Sequence, residues 1–267
     1  MITSSGNPRV KSLKSLSLKK FREKEKKFSA EGFHLIGEAL NAPEFKIESV
    51  FFSKKALKSK EGADLIKKAA KAAVELIEVS DPVMKSLSEV EEPQGMVACI
   101  RMREASIDDL TQESLPLIAI CVGIQDPGNL GTIVRSVDAL SGTGILVGSG
   151  SADIYNPKAL RASMGSVFHL PIVEFDDVMI GIKRLKEKGV NLVATSLGAS
   201  EQLKDLDLTR PTAVVFGSEG AGLPLQVLQS CGHVIKIPMR GKAESLNVGS
   251  AATIIFYEAL RQREING

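Results

Sequence analysis

The sequence predicts an α/β protein whose second half contains a mostly parallel sheet. Three observations support this class. Helix-like and strand-like segments alternate along the chain. The strands after residue 115 are short and almost continuously apolar, as in sheets covered on both faces. A polar stretch separates the two halves. We therefore predict a first domain at residues 1–103, a linker at 104–114 and a second domain at 115–267.

The composition is that of a soluble globular protein, with 43% hydrophobic and 25% charged residues. No apolar run is long enough to span a bilayer, and the first residues lack the apolar core of a signal peptide. Cys99, Cys121 and Cys231 lie singly in apolar segments, without the spacing of a metal site. We therefore expect reduced core thiols, no metal site and a cytoplasmic protein.

The first half begins with a strongly basic segment. Residues 1–30 hold nine basic and two acidic residues, a net charge of +7, against −5 for the remainder. Such an asymmetry indicates contact with a phosphate backbone, and the alternative is a solvated amphipathic helix. The candidates for this contact with a nucleic acid are Arg9, Lys11, Lys14, Lys19, Lys20 and Arg22.

The elements of the first half follow from hydrophobic period and turn residues. Helices are predicted at 8–26, 32–41 and 61–73, with a short one from Asp81-Pro82. Extended segments are predicted at 28–31, 45–53, 74–79 and 95–101. Nothing in this half resembles a catalytic constellation.

The second half alternates buried strands with helices, the pattern of a parallel sheet. Strands are predicted at 117–122, 144–147, 171–175, 191–195, 212–216 and 234–237. Helices are predicted at 130–140, 158–164, 177–188, 225–229 and 244–263. In such sheets ligand sites lie beyond the carboxyl ends of the strands.

The segment VIKIPMRGKAESLNVGSAATIIFYE, residues 234–258, reads as a strand, a loop and a helix with one apolar face. Ser245 and Asn247 are residue types that cap a helix start. The small residues at 249–252 would let another backbone or a second subunit approach closely. The segment is therefore either an ordinary strand-to-helix connection or one wall of a pocket for a small polar ligand.

Two other stretches also follow strands. In residues 123–140, Asn129 is a helix cap or a site residue, and Arg135 is a surface cation or a ligand for an anion such as phosphate. In VVFGSEGAGLP, residues 214–224, three glycines permit close ligand approach. Glu219 between those glycines disfavours phosphate, so a neutral or cationic ligand, such as an adenosine with a sulfonium, suits this loop.

Other enzyme classes have little support. GSGSAD at residues 148–153 lacks the third glycine of a dinucleotide-binding turn, which argues against a nicotinamide-dependent oxidoreductase. The histidines at 34, 169 and 233 are scattered and join no serine–aspartate pair in these loops, which argues against a hydrolase triad.

The ordered motifs GNLGTIVR, FGSEGAGL and IPMRGKAESLNVGSAATIIFYEA resemble those of the SpoU family. This family comprises S-adenosylmethionine-dependent RNA ribose 2′-O-methyltransferases of the SPOUT superfamily, and the resemblance covers about residues 117–263. The strings FSAEGFHLIGEAL and QGMVACI in the first half resemble the substrate-binding domain of members that modify large-subunit ribosomal RNA, a fold similar to a ribosomal protein. One departure from the family motifs is Gly249-Ser250 after SLNV, where related sequences vary. This departure concerns the packing of the helix.

The resemblance implies S-adenosylmethionine as cofactor, 23S ribosomal RNA as substrate, a deep trefoil knot, and a homodimer whose two subunits complete each site. It implies that Arg135 is catalytic. The residues around the reacting groups would be Asn129, Glu219, Ser245 and Asn247. The cofactor-binding residues would be Thr195, Leu197, Gly198, Gly217, Glu219, Gly222, Ile237, Met239, Ser245 and Leu246.

Arginine stays protonated in proteins, so Arg135 is not expected to be a general base. We expect it to hold the adjacent phosphate and favour the developing alkoxide, with that phosphate or Glu219 accepting the proton. Two alternatives stay open at this point: a non-catalytic RNA-binding protein on the same scaffold, and transfer RNA as the substrate. The modified nucleotide is not predicted.

Overall fold

The computed structural model describes residues 1–266. The helices are α1 (Pro8–Ser15), α2 (Lys19–Glu25), α3 (Phe33–Asn41), α4 (Lys54–Lys58), α5 (Lys60–Lys71), α6 (Asp81–Leu87), α7 (Ile107–Leu110), α8 (Pro127–Ala139), α9 (Pro157–Ser163), α10 (Val178–Glu187), α11 (Leu225–Ser230) and α12 (Val248–Asn266). The strands are β1 (Lys27–Glu31), β2 (Ile47–Phe52), β3 (Glu75–Glu78), β4 (Met96–Arg101), β5 (Leu117–Cys121), β6 (Gly144–Gly148), β7 (Ile172–Phe175), β8 (Asn191–Thr195), β9 (Glu201–Gln202), β10 (Thr212–Phe216) and β11 (His233–Lys236).

The chain divides into two compact units. Unit 1 comprises Met1–Arg103 and Tyr155–Phe168, and unit 2 comprises Glu104–Ile154 and the chain from His169 onward. Contacts therefore assign Tyr155–Phe168 to unit 1, although this segment lies inside the range predicted for the second domain. The predicted domain boundaries themselves stay a prediction.

An aromatic cluster explains why residues 155–168 pack within unit 1. The ring centroid of Phe28 lies 4.5 Å from that of Tyr155 and 6.2 Å from that of Phe168. The rings of Phe45 and Phe168 meet edge to face at 5.0 Å. Phe28 is fully buried by this arrangement. Because aromatic pairs contribute beyond their buried area, the cluster ties α9 and its flanks to β1.

The sheet of unit 1 has four strands in the order β1-β4-β2-β3. β4 pairs antiparallel with both β1 and β2, whereas β2 and β3 are parallel. β1 is therefore an edge strand. Its residues alternate between half-buried and buried positions, the pattern of a strand with one face on the core.

The predicted helix at 8–26 is wrong as one continuous element. The structure breaks it after Ser15 and restarts it at Lys19. The guanidinium of Arg22 donates to the carbonyl oxygens of Leu16 at 2.7 Å and Ser17 at 2.8 Å, which the break leaves without helical partners. Arg22 is only 2% exposed. Its prediction as an RNA contact is therefore corrected, since Arg22 stabilises a bend.

The sheet of unit 2 has seven strands in the order β7-β6-β5-β10-β8-β11-β9, and every neighbouring pair is parallel. All residues of β5, β6 and β10 are buried. The apolar composition of these strands follows from cover on both faces. The α/β class and the parallel sheet are thus confirmed, and β9 is a two-residue strand that the sequence did not reveal.

The segment predicted as a linker, 104–114, contains α7. The Ser106 and Asp109 side chains form a capping box at its start. Ile107 and Leu110 are 4% and 0% exposed and belong to the core of unit 2. Two apolar side chains therefore anchor the segment on unit 2, and its assignment as a linker between domains stays a prediction.

The cysteines at 99, 121 and 231 are free thiols. Burial raises the pKa of the Cys121 thiol to about 12 and that of the Cys99 thiol to about 11. Both are therefore protonated at neutral pH. Among residues 1–266, no helix combines the length and apolar character needed to cross a membrane.

Candidate functional site: a cavity at the carboxyl ends of three strands

The strand order of unit 2 gathers four loops at one end of the sheet. β5, β10, β8 and β11 are consecutive neighbours and run parallel. The loops that leave their carboxyl ends therefore converge, as expected for a ligand site in a parallel sheet. These loops contain the three motif stretches and the short turn after β8.

A cavity of about 460 Å³ lies among the loops after β8, β10 and β11, with no lining residue from the loop after β5. All the residues predicted to bind the cofactor line it. They are Thr195, Leu197, Gly198, Gly217, Glu219, Gly222, Ile237, Met239, Ser245 and Leu246. The structure thus brings this set together, although the individual contacts to a cofactor stay a prediction.

The same cavity has lining residues that the sequence reasoning missed. The polar and small ones come from the turns after β8 and β10 and from β11, and the apolar ones from β10, the turn after it, α11, β11 and α12. They are Ser196, Phe216, Ser218, Gly220, Ala221, Leu223, Leu228, Ile235, Lys236, Val248, Ala251 and Ile255. The α12 residues had a visible signal, since they form the apolar face of a helix that directly follows the third motif.

The glycine loop after β10 depends on the absence of side chains. A Cβ atom on Gly217 would lie 2.5 Å from the carbonyl carbon of Gly222, which no real structure tolerates without a shift. The N–H of Gly222 donates to Ser218 O at 3.0 Å, and Gly222 has φ +68°. A Cβ on Gly220 would meet nothing within 4 Å. The loop therefore folds tightly on itself at Gly217 and leaves open space for a ligand at Gly220.

A chain of side-chain hydrogen bonds joins the three motifs. The Oδ1 atom of Asn247 accepts from the N–H groups of Gly249 at 2.9 Å and Ser250 at 3.3 Å. Its Nδ2 group must then be the donor, and it donates to Asn129 Oδ1 at 2.9 Å. The Nδ2 group of Asn129 in turn donates to Glu219 Oε1. Each amide orientation is thus fixed by the previous bond, beginning at the N-terminus of α12.

Asn247 also sets where the last helix begins. The predicted start at residue 244 is wrong, since α12 starts at Val248. Its first N–H groups are satisfied by Asn247, in the way expected of a helix cap. A Cβ on Gly249 would lie 2.7 Å from the methyl carbon of Thr132 on α8. The glycine that follows SLNV is therefore required for close packing of α12 on α8.

The structure does not bring Arg135 into this cavity. Arg135 lies on α8, six residues after Asn129, and its side chain is exposed. It is not among the residues that line the cavity. Within residues 1–266, no hydrogen bond or ion pair engages its guanidinium. Ser245, by contrast, lies in the cavity wall.

The basic residues predicted to bind RNA lie on the surface of unit 1, except Arg22. Arg9 forms an ion pair with Glu75 at 2.6 Å, and Lys19 one with Glu23 at 3.6 Å. Sequence reasoning missed a second basic surface on α4 and α5. Its exposed lysines are Lys54, Lys55, Lys58, Lys60, Lys67, Lys68 and Lys71. Their density in a short stretch was the available signal.

The residues present fit a bound S-adenosylmethionine. The cavity offers small, close-approaching backbone at the glycine loop and an apolar wall from Ile237, Leu246 and Ile255. Glu219 is a carboxylate suited to a sulfonium cation, and no glycine loop of phosphate-binding spacing is present in the sequence. Among residues 1–266, no group of three or more His, Cys, Asp or Glu side chains is arranged to hold a metal ion.

The fold and the cavity define an α/β protein that binds a small organic ligand at the carboxyl ends of parallel strands. Residues 116–257 match the SpoU rRNA Methylase family, and residues 7–98 match the MRM3-like substrate binding domain. The chain therefore belongs to the SpoU family and carries an N-terminal substrate-binding domain.

Similar proteins include full-length relatives. The 23S rRNA (guanosine(2553)-2′-O)-methyltransferase RlmP of Bacillus subtilis is 33% identical, over 96% of this chain and 97% of its own. A solved RNA 2′-O ribose methyltransferase is 35% identical with a TM-score of 0.83, covering 98% of this chain and 99% of its own. The SpoU methyltransferase AviRb of Streptomyces viridochromogenes, solved with AdoMet, is 31% identical with a TM-score of 0.87, covering 97% and 98%.

Proposed function

We infer that this protein transfers a methyl group from S-adenosylmethionine to a ribose 2′-hydroxyl of RNA, with 23S ribosomal RNA as the substrate. The observation that carries this inference is a cavity lined by the second and third family motifs, to which Asn129 of the first motif is joined by hydrogen bonds with Glu219 and Asn247. Relatives of nearly equal length that are named 23S rRNA 2′-O-methyltransferases support the substrate. We also propose that the protein is cytoplasmic.

The cofactor, when bound, supplies an electrophilic methyl group on a sulfonium. The chain's own residues must then position the ribose in line with that methyl group, because displacement at carbon needs little beyond alignment and proton removal. Glu219 lies in the cavity wall with Oε1 occupied by Asn129. This hydrogen bond fixes the orientation of the Glu219 carboxylate. We assign its Oε2 atom to the contact with the ribose.

Arg135 is proposed to bind a phosphate of the RNA. Its guanidinium is permanently charged and offers a planar fork of donors suited to a phosphate. We assign it to the phosphate next to the reacting ribose, where it also favours the developing alkoxide. The proton leaves to that phosphate or to Glu219. Replacing Glu219 by Gln separates the two, because only the second route requires its carboxylate.

A homodimer is part of the proposal, because a single chain leaves Arg135 outside the cavity. The outer face of α12 supports it. Ile254, Tyr257 and Ile265 recur at helical spacing on that face and are 38%, 58% and 68% exposed. We propose that this apolar stripe packs on a second copy, and that the partner subunit's Arg135 completes the site.

Two impaired variants test the shared site. Mixed dimers of Arg135→Ala and Asn247→Ala contain one site with both residues intact if each site draws on two subunits. We expect mixing after co-refolding to restore about one quarter of wild-type activity, as random pairing in a symmetric dimer implies. No restoration, despite mixed dimers shown by mass spectrometry, would place both residues in one chain.

The trefoil knot is also proposed. The C-terminal part of α12 is held by the loop that follows β9. Gln262 accepts from Leu208 N–H at 2.8 Å and donates to Leu206 O at 3.0 Å. The guanidinium of Arg263 donates to Leu208 O at 3.0 Å and to Leu115 O at 2.8 Å. These contacts support a chain end that passes through a loop. Stretching single molecules by their ends tests it, since a knotted chain ends shorter than its full contour length.

The exposed basic residues of unit 1 are proposed to hold the RNA backbone. They comprise Arg9, Lys11, Lys14, Lys19 and Lys20 together with the lysines of α4 and α5. Salt dependence of RNA binding tests this role, because each neutralised phosphate releases counterions.

The enzyme is tested by incubation with labelled S-adenosylmethionine and ribosomal or transfer RNA. We expect label in large-subunit RNA that survives alkaline hydrolysis as a dinucleotide, the mark of a 2′-O-methyl group. Cofactor binding without transfer to any RNA would point to an assembly intermediate as substrate. Neither binding nor transfer would favour a non-catalytic RNA-binding protein.

A further inference from the structure

Unit 1 contains a second cavity, separate from the methyl-transfer cavity of unit 2. It encloses about 160 Å³, against about 460 Å³ for the cavity in unit 2. It lies beside the edge strand β1, between α1, α9 and the segment after α6. Its apolar walls include Leu13, Leu35 and Leu160, which are 4%, 6% and 1% exposed. The smaller volume suits one planar ring system, not a whole nucleoside.

A fixed carboxylate lies in this cavity. Glu31 is the last residue of β1, and the hydroxyl of Ser88 donates to its Oε1 atom. The N–H of Glu89 donates to its Oε2 atom at 3.1 Å. Each carboxylate oxygen can accept a further hydrogen bond. Within residues 1–266, no lysine or arginine forms an ion pair with Glu31.

This geometry favours a ligand with two adjacent N–H donors. Guanine presents N1–H and the N2 amino group side by side on its Watson–Crick edge. Adenine, cytosine and uracil each place only one donor group on that edge, beside acceptors that a carboxylate repels. RNA-binding proteins commonly recognise extruded bases by that edge and hold their faces between side chains. Leu13, Leu35 and Leu160 provide the apolar faces here.

Cations at the same cavity suit the phosphates on either side of such a base. Lys14 on α1 and Arg161 on α9 both line it. Lys14 is exposed, and the side chain of Arg161 is 41% exposed, with its Nη1 atom 3.9 Å from the Glu89 carboxylate. The carboxylate inside the cavity would face the N–H donors on the edge of the base. The two cations around it would face the phosphates on either side of that base.

We propose that this cavity, defined by Leu13, Lys14, Glu31, Leu35, Leu160 and Arg161, binds one extruded guanine of the RNA. That guanine is distinct from the nucleotide that is methylated. The proposal rests on the proposed function in taking RNA as the ligand. It deepens that function, because a second base contact fixes the register of the RNA on the protein.

Binding of short RNAs tests the proposal on the full chain. Three fluorescein-labelled oligouridines carry one central guanosine, inosine or adenosine, and fluorescence anisotropy gives each Kd. We expect the guanosine RNA to bind about tenfold tighter than the adenosine RNA, in the range typical of a bidentate base contact. Inosine lacks the N2 amino group and is expected to lose most of that advantage. Equal affinities would overturn the proposal without any variant.

Two matched variants test whether the preference for guanine depends on Glu31. Glu31→Gln replaces one acceptor by a donor that opposes guanine, so the guanosine and adenosine RNAs are expected to bind alike. Glu44→Gln changes an exposed carboxylate elsewhere in unit 1 and is expected to keep the full preference. Thermal unfolding confirms that both variants are folded. A guanine preference that survives Glu31→Gln would place recognition elsewhere and overturn the proposal.

The two proposals fail in distinguishable ways. S-adenosylmethionine binding and methyl transfer depend on the cavity of unit 2, whereas guanine preference depends on Glu31. A preserved guanine preference in a protein that neither binds the cofactor nor transfers methyl groups would remove the enzyme and keep this site. Methyl transfer without guanine preference would remove this site and keep the enzyme.

Discussion

The two units of the molecule differ in the residues that form the cavity of unit 2 and the basic surface of unit 1. The cavity of unit 2 is made of strand ends, glycines and a short chain of amide hydrogen bonds, so its shape depends on backbone that tolerates little change. Unit 1 presents lysines on helices and one buried arginine that stabilises a bend. Charged residues therefore have two uses in unit 1, and their exposure, not their residue type, separates those proposed to contact RNA from the one that stabilises the fold.

Replacing Arg135 should have the largest effect. Arg135→Ala removes the phosphate ligand, so we expect kcat to fall by about 10³-fold, as for loss of a group that stabilises developing charge. S-adenosylmethionine affinity should change little, because Arg135 does not line the cavity. Single-turnover methyl transfer and isothermal titration measure the two. Arg135→Lys keeps the charge without the fork, and full turnover in that variant would contradict the assigned role.

The amide chain should behave as one unit. Asn247→Ala frees Asn129 to rotate, and Asn129→Ala removes the bond to Glu219. We expect each to reduce kcat by about 10²-fold, and the double variant to be little worse than either, since linked groups are not additive. A double-mutant cycle on kcat measures this. Asn247→Ala should also cost about 1 kcal/mol of stability through the lost cap. Additive losses would show that the two amides act independently.

The glycine loop provides a matched pair. Gly217→Ala places a Cβ 2.5 Å from Gly222, so the loop must shift, whereas Gly220→Ala meets open space. We expect Gly217→Ala to weaken S-adenosylmethionine binding by about tenfold, comparable to losing a single good contact. Gly220→Ala should stay within about twofold of wild type if cofactor contacts at that position use backbone alone. Equal Kd values for the two variants, measured by titration calorimetry, would argue against a tight turn at Gly217.

Replacing two cations of unit 1 should have small effects on two different quantities, the free energy of unfolding and the salt dependence of RNA binding. Arg22→Ala removes hydrogen bonds from a charged group to the carbonyl oxygens of Leu16 and Ser17, so we expect about 2 kcal/mol of destabilisation. The salt dependence of RNA binding should not change. Lys20→Ala should leave stability intact and reduce the slope of log Kd against log salt by about one. Urea unfolding and salt titrations measure both, and a reduced salt slope for Arg22→Ala would restore it as an RNA contact.

Much of unit 2 was predictable because its main strands are short apolar runs that are visible in the sequence. β8 and β10 begin and end where the apolar runs at 191–195 and 212–216 do. Their order in the sheet was not predictable, since β10 lies between β5 and β8 by long-range pairing that apolar runs do not encode. The two-residue β9 was too short to leave any period.

Two features of unit 1 were not predictable, for different reasons. The helical pattern of residues 8–26 continues through Leu16 and Ser17, and the break there is held by the buried Arg22 guanidinium, whose side-chain direction a sequence pattern does not show. Tyr155 and Phe168 pack on the ring of Phe28, more than a hundred residues away in sequence, and a contact over that separation leaves no local pattern.

The candidate site was predictable to the extent that motifs were recognisable. Composition and spacing suggested a ligand pocket at strand ends, while the assignment of Thr195 and Leu197 came from resemblance to a family. The chain of amides was not predictable, because the order of donors and acceptors requires the positions of Asn129 and Asn247 in space.

The proposed methylation of 23S ribosomal RNA is best tested on RNA from cells with and without the gene. The RNA is digested to nucleosides and examined by mass spectrometry. We expect one 2′-O-methylated nucleoside to disappear on deletion, to return with the wild-type gene and not to return with Arg135→Ala. An unchanged set of 2′-O-methylated nucleosides in 23S RNA, or restoration by the Arg135→Ala variant, would contradict it.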